Sequence, residues 1–132
     1  MFIAGLDEKK QEVFLNLAYT MIYADGRLDE KEQMLFDSYQ IEVTADISKA
    51  HAVDFDEALS EFDDCTQIEK QKIFFELYAI ALIDDSYPEE EQNLIDTVKK
   101  RFNIADEKME EMKSALMSFI SVYNNLFRVV TT

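Results

Sequence analysis

An all-α, single-domain architecture follows from three features of this chain. Apolar residues recur at steps of three and four over most of its length, the period of helices buried on one face. Two Gly and one Pro in 132 residues are too few for the turns of a sandwich or barrel. The helical pattern also occurs twice. Residues 25–38 align without a gap on residues 84–97, with identity at Asp25/Asp84, Glu30/Glu89, Glu32/Glu91, Gln33/Gln92, Leu35/Leu94 and Asp37/Asp96. Each copy follows an apolar run and opens an acidic one. The expected fold is a bundle of about seven helices with an internal duplication of a helix–acidic turn–helix unit, its copies at about 10–40 and 69–99. Residues 1–132 form one domain by length, and such a chain buries roughly two-thirds of its unfolded surface without needing a staple.

The first helix is capped by Asp7 and runs to about Tyr23, with Val13, Phe14, Leu17, Ala18, Met21 and Ile22 on one face. Ala24-Asp25-Gly26 ends it, and Gly26 suits a left-handed backbone. Asp29 caps the second helix, with Glu32 three residues on as in a capping box. That helix is expected to bury Met34, Leu35 and Tyr39 and to end near Gln40. In the connector, Thr44 and Asp54 read as caps of two short helices, one carrying Ile47, the other Phe55, Ala58, Leu59 and Phe62. The second copy opens near Asp64, and residues 68–83 form its long apolar helix, with Ile73, Phe74, Leu77, Ile80 and Ala81 facing the core. Pro88 belongs in the first turn of the next helix, where a missing N–H is harmless. That helix carries Leu94, Ile95, Val98 and Phe102. Asn103-Ile104-Ala105 breaks it, and Asp106 caps the last helix. Met109, Met112, Leu116, Phe119 and Tyr123 keep an apolar seam there to about Leu126, before a frayed tail from Val129.

The formal charge of −15, from 28 acids against 13 bases, disfavours nucleic acid and anionic bilayers, whose binding needs Lys and Arg. Cations or basic protein surfaces are the complementary partners. No apolar run approaches the ~20 residues of a membrane span, and the opening residues lack a signal-peptide core. A cytoplasmic chain without direct membrane insertion is expected. Cys65 is the sole cysteine, which excludes an internal disulfide and a cysteine-based zinc cluster. It lies between Asp64 and Thr66, and a neighbouring acid suits a passive thiol. His51 stands alone in the connector and reads as a surface residue, and the methionines of the last helix read as core filling. No Ser–His–Asp, Cys–His or Gly-rich phosphate pattern occurs, so no catalytic residue and no enzyme is expected.

What chemistry remains lies in the acidic turns. Asp25, Asp29 and Glu32 place carboxylates around one turn, and Asp84 and Glu91 recur around the other. Hard cations take such oxygen ligands, so these five are candidate metal ligands, with Ca²⁺ or another divalent cation as the one candidate cofactor. Helix capping is the competing role, because acids in a first turn satisfy free N–H groups and oppose the dipole. An EF-hand is excluded: counted from Asp25, the sixth residue is Glu30 where Gly is required, and the twelfth is Phe36 where a bidentate Glu is required.

Ala24-Asp25-Gly26-Arg27-Leu28-Asp29-Glu30-Lys31-Glu32, following an apolar helix, resembles the Ala-Asp-Gly-x-Ile/Leu-x-x-x-Glu signature of the TerB-like (tellurite-resistance protein TerB) family. The second copy is similar at Asp84, Glu89 and Glu91 but has Asp85 for the Gly and Tyr87 at the small apolar position. The likeness covers most of residues 10–125. It implies a duplicated, all-helical, cytoplasmic protein of bacterial stress-response systems, a non-catalytic module working through protein–protein contacts. It also implies a link to divalent cations through the acidic residues.

Overall fold

The computed structural model describes residues 1–24, 26, 29–83 and 87–132. Among them are six α-helices and no strand: α1 (Glu8–Ile22), α2 (Glu30–Glu42), α3 (Phe55–Leu59), α4 (Gln67–Ile83), α5 (Glu89–Arg101) and α6 (Asp106–Thr131). Two 3-10 turns, Ile47–Lys49 and Ser60–Phe62, complete the connector.

Helix α4 is the axis of the bundle and touches α1, α2, α5 and α6. Its residues Ile73, Phe74, Leu77, Ile80 and Ala81 are fully buried, as their spacing implies. Across from them α1 contributes Phe14, Leu17, Ala18 and Met21, and α5 contributes Ile95 and Val98. Phe62 meets Phe102 edge-on at 6.2 Å, joining the connector to the end of α5. Arg101 binds Asp63 through both Nε (3.1 Å) and Nη2 (2.7 Å) on the surface above that pair.

The caps follow local chemistry. The carboxylates of Asp7, Asp29 and Asp54 accept from the backbone N–H three residues on, at Lys10, Glu32 and Glu57. Thr66 and Glu69 form a reciprocal capping box at the start of α4: the Thr66 hydroxyl accepts from the Glu69 N–H, and Glu69 accepts from the Thr66 N–H. Gly26 has φ +74°, the left-handed geometry expected of it, and a Cβ there would meet nothing within 4 Å. The constraint on Gly26 is therefore backbone strain rather than space. At the end of α5, Asn103 (φ +54°) turns the chain. Its N–H reaches the Lys100 carbonyl while the Ile104 N–H reaches Lys99, a Schellman closure that buries Ile104.

Several expectations are corrected. The segment expected to be a helix capped by Thr44 closes only a single 3-10 turn, capped by Asp46, so the α-helices among the described residues number six rather than about seven. The reason lies in α1. Its Gln11 accepts from the Thr44 and Ala45 N–H groups, Asn16 from that of His51, and Thr20 from that of Val53. These bonds hold the connector extended against α1 instead of letting it coil. In α2, Phe36 is buried and Met34 is 71% exposed, the reverse of the expected assignment for Met34. Pro88 sits at the N-cap of α5 rather than inside its first turn, and Ala105 rather than Asp106 is the N-cap of α6. The tail does not fray at Val129, since α6 continues to Thr131. Tyr87 takes φ +37°, unusual for a bulky residue; Asp85, the second-copy counterpart of Gly26, lies outside the described residues.

Candidate functional site

Two regions carry unusual chemistry: the N-terminal turns of α2 and α5, and the face of α6. The first corresponds to the candidate ligands named from sequence. Asp25 and Asp84 lie outside the described residues. Asp29 is half-buried, and its Oδ1 accepts from the Glu32 N–H at 3.0 Å, so it acts as the α2 cap. Glu32 and Glu91, paired by the repeat, are each the third residue of their helix and only 3% and 1% exposed. Both side chains are engaged with neighbouring groups. A glutamate at this position points back over the helix N-terminus, where free N–H groups and the helix dipole favour its charge. Their burial was not legible in sequence, because acids in a first turn are ordinarily solvated. No group of three or more His, Cys, Asp or Glu side chains able to hold a metal occurs among the described residues.

Around these turns the polar residues of the repeat make local hydrogen bonds. The Tyr23 hydroxyl lies 3.0 Å from Gln33 Oε1, and Gln33 donates to Asp37. In the second turn Gln92 donates to the Tyr87 carbonyl at 2.7 Å, holding the left-handed residue in place. Burial, then the fields of Tyr78, Asp96 and Glu91, pushes the Tyr87 phenol up to about 12. It is a neutral donor at any physiological pH.

A carboxylate that sequence reasoning passed over, Glu76 of α4, is 4% exposed and stands at the centre of a polar cluster. Its Oε1 accepts from the Met1 ammonium (2.6 Å) and the Phe2 N–H (2.7 Å), and its Oε2 from the Tyr39 hydroxyl (2.7 Å). Glu42 adds bonds to the Met1 ammonium and the Ile3 N–H. Burial, reinforced by Glu76, raises the Tyr39 phenol well above its ordinary value. All members of this cluster satisfy one another, and it clamps the opening residues onto α2 and α4. Cys65 is buried, and burial, opposed by Lys10, pushes its thiol up, which keeps it the passive thiol expected. His51 is exposed and lies against the Lys49 carbonyl, as a surface residue does.

The second region was expected to be core and is not. Among the described residues α6 has no buried side chain. Met109 and Met112 are half-buried against the bundle, whereas Met117, Phe119, Tyr123, Leu126, Phe127 and Val130 are 42–70% exposed. Where α6 leaves the bundle, apolar grooves flank it. One, of about 380 Å³, is lined by Phe2, Ile68, Phe75 and Phe119; the other, of about 390 Å³, by Leu35, Leu82, Ile83 and Ile120. The seam predicted from periodicity is real as a face, but among the described residues no other helix covers it beyond its first turns. No helix among the described residues is long and apolar enough to cross a membrane.

Comparison with protein-family models, with curated proteins and with solved structures finds no match for this chain.

Proposed function

We propose that this chain is a non-catalytic, acidic helical module of a bacterial stress-response system of the tellurite-resistance kind, built on a TerB-like duplication and acting through protein–protein contact. The observation that carries the interaction reading is the exposed apolar length of α6. Monomeric soluble proteins rarely leave a contiguous apolar patch above roughly 300–600 Å². From Met117 to Val130, nine large apolar side chains are 37–70% exposed on this one helix. The duplication is supported by the two helix pairs α1–α2 and α4–α5, each with a buried glutamate at the third position of its second helix. Substituting Phe119→Glu and Leu126→Glu together is expected to leave the helical content of the folded chain unchanged, since both side chains are more than half exposed. In the source bacterium lacking the native gene, that variant is expected to be as sensitive to tellurite or oxidative stress as the null strain. Full rescue by the variant would remove α6 from the function and defeat the reading.

A second reading has Asp25, Asp29, Glu32, Asp84 and Glu91 bind Ca²⁺ or another divalent cation. It is favoured by the burial of Glu32 and Glu91 at one register in both turns, a placement that solubility alone does not require. Few ligands per turn imply affinity near the weak, ~10⁻⁴ M end of calcium sites. Millimolar Ca²⁺ then raises the melting temperature above a sodium control of equal ionic strength, and Asp25→Asn with Glu32→Gln abolishes the difference. Equal melting in Ca²⁺ and sodium leaves these acids as caps only.

A further inference from the structure

The exposed face of α6 has a regular order. Met109, Met112, Leu116, Phe119, Tyr123, Leu126 and Val130 alternate three and four residues apart without a break, the spacing of the a and d positions of a coiled coil. Ala115, Val122 and Val129 flank this stripe on one side, Ile120 and Phe127 on the other. The opposite arc carries Glu110, Glu111, Ser114, Ser118, Ser121, Asn124, Asn125 and Arg128. Such a stripe is the seam of a helix pair, yet only its first turns meet α4. Helix α6 is 26 residues long, roughly 39 Å, so its outer half extends beyond the bundle without a mate.

Building on the interaction reading above, we infer that the outer half of α6 pairs with α6 of a second copy of this chain, antiparallel, about a twofold axis near Tyr123. Three observations select this occupant. The first is charge. Residues 114–127 contain no Asp, Glu, Lys, Arg or His in a chain that is 31% charged and carries −15 overall. Two copies can meet there without opposing their acids, whereas contact through most other faces sets like charges together. The same charge sets the direction. A parallel pair would bring both acidic bundles to one end, whereas an antiparallel pair centred on Tyr123 separates the two Leu116 positions by roughly 20 Å, beyond the ~8 Å Debye length.

The second observation is area. Some nine apolar side chains from Met117 onward are each about half exposed. At roughly 100 Å² apiece they offer close to 1,000 Å² per copy, enough for the ~1,600 Å² of a standard interface. The third is fit. With the axis at Tyr123, Phe127 of the second copy falls opposite Phe119, Leu126 opposite Ile120 and Val130 opposite Leu116. The tip of each helix thereby reaches the grooves beside the other's root, whose walls are apolar and include Phe119 and Ile120. An anionic membrane is a poorer occupant, because the polar arc carries Arg128 as its one base beyond Lys113 and lacks the basic rows that hold interfacial helices.

The test is sedimentation equilibrium on the whole chain over a wide concentration range, with single-cysteine cross-linking in a Cys65→Ser background. The expected species has twice the chain mass. Leu126→Glu, exposed in the isolated chain, moves the monomer–dimer midpoint at least about tenfold higher in concentration by placing a charge in the seam. Under mild oxidation Tyr123→Cys cross-links nearly completely and Val130→Cys does not, which an antiparallel pair requires. Cross-linking at both positions would overturn the antiparallel geometry. A monomer at every concentration overturns self-pairing, as does a monomer that co-floats with phosphatidylserine vesicles. Hydrogen exchange then separates self-pairing from contact with another protein. Fast exchange across residues 117–130 of that monomer defeats self-pairing alone and leaves an open face for another protein. Strong protection there, from folding back onto its own bundle, defeats the interaction reading as well.

Discussion

Glu76→Ala is expected to lower the unfolding free energy by about 3 kcal/mol, or roughly 10 °C in melting temperature for a chain of this size. The loss comes from the groups left behind. The Tyr39 hydroxyl is buried and donates to Glu76 at 2.7 Å, so its desolvation goes uncompensated once the carboxylate is gone. The Phe2 N–H loses its acceptor too, and the missing methylenes leave a cavity beside Phe75 and Leu82. The Met1 ammonium is half exposed and retains Glu42, so its share is screened and small. Glu76→Gln keeps the shape and one acceptor and is expected to cost about half as much.

The same cluster fixes a pH dependence. Burial alone would lower the pKa of the Met1 amino group, but hydrogen bonds and charge from Glu76 and Glu42 outweigh it, leaving the value above its ordinary 8.0. A group with a raised folded pKa binds its proton more tightly in the native state. Its contribution is therefore fully present below about pH 8 and is lost as pH rises through the folded value. Urea titrations from pH 7 to 10 should show this alkaline loss in the native chain and a weaker loss in Glu76→Gln. If Glu76→Ala stays within 0.5 kcal/mol of the native chain, the clamp contributes nothing to stability.

Gln11→Leu should cost about as much, near 3 kcal/mol, although it exchanges a polar side chain for an apolar one of similar size. Gln11 is 3% exposed, and its amide is fully used. Oε1 accepts from the Thr44 N–H and hydroxyl, both at 3.1 Å, and from the Ala45 N–H at 3.3 Å. Nε2 donates to the Leu6 carbonyl at 3.0 Å. Leucine fills the volume but strands the backbone groups of two separate segments. The local signature is faster hydrogen exchange at Ala45, whose amide loses its acceptor, while α4 amides change only with global stability. Unchanged exchange at Ala45 would show that the connector is held by other contacts.

Much of this molecule was readable in the chain alone, for a simple reason: helix formation, capping and facing are local. The period of α1, α4 and α5, the Asp caps at positions 7, 29 and 54, and the left-handed Gly26 each depend on residues within one or two turns. The candidate ligands fared differently. Their recurrence was visible, yet the burial of Glu32 and Glu91 depends on how the helices pack around them, which no local pattern records. Polar side chains that hold the fold were invisible, since the partners of Glu76 and the connector groups that Gln11 Oε1 accepts from lie 33 to 75 residues away in sequence. Nothing local marks a glutamine or glutamate for burial. Helix α6 shows the same limit from the other side. Periodicity determined which of its residues share a face, but whether another element arrives to cover that face is a matter of topology. Here the bundle closes on α4 without supplying that element. A stripe that reads as core is therefore left as surface, because the apolar pattern records the need for a partner and only the tertiary structure decides whether the bundle provides one.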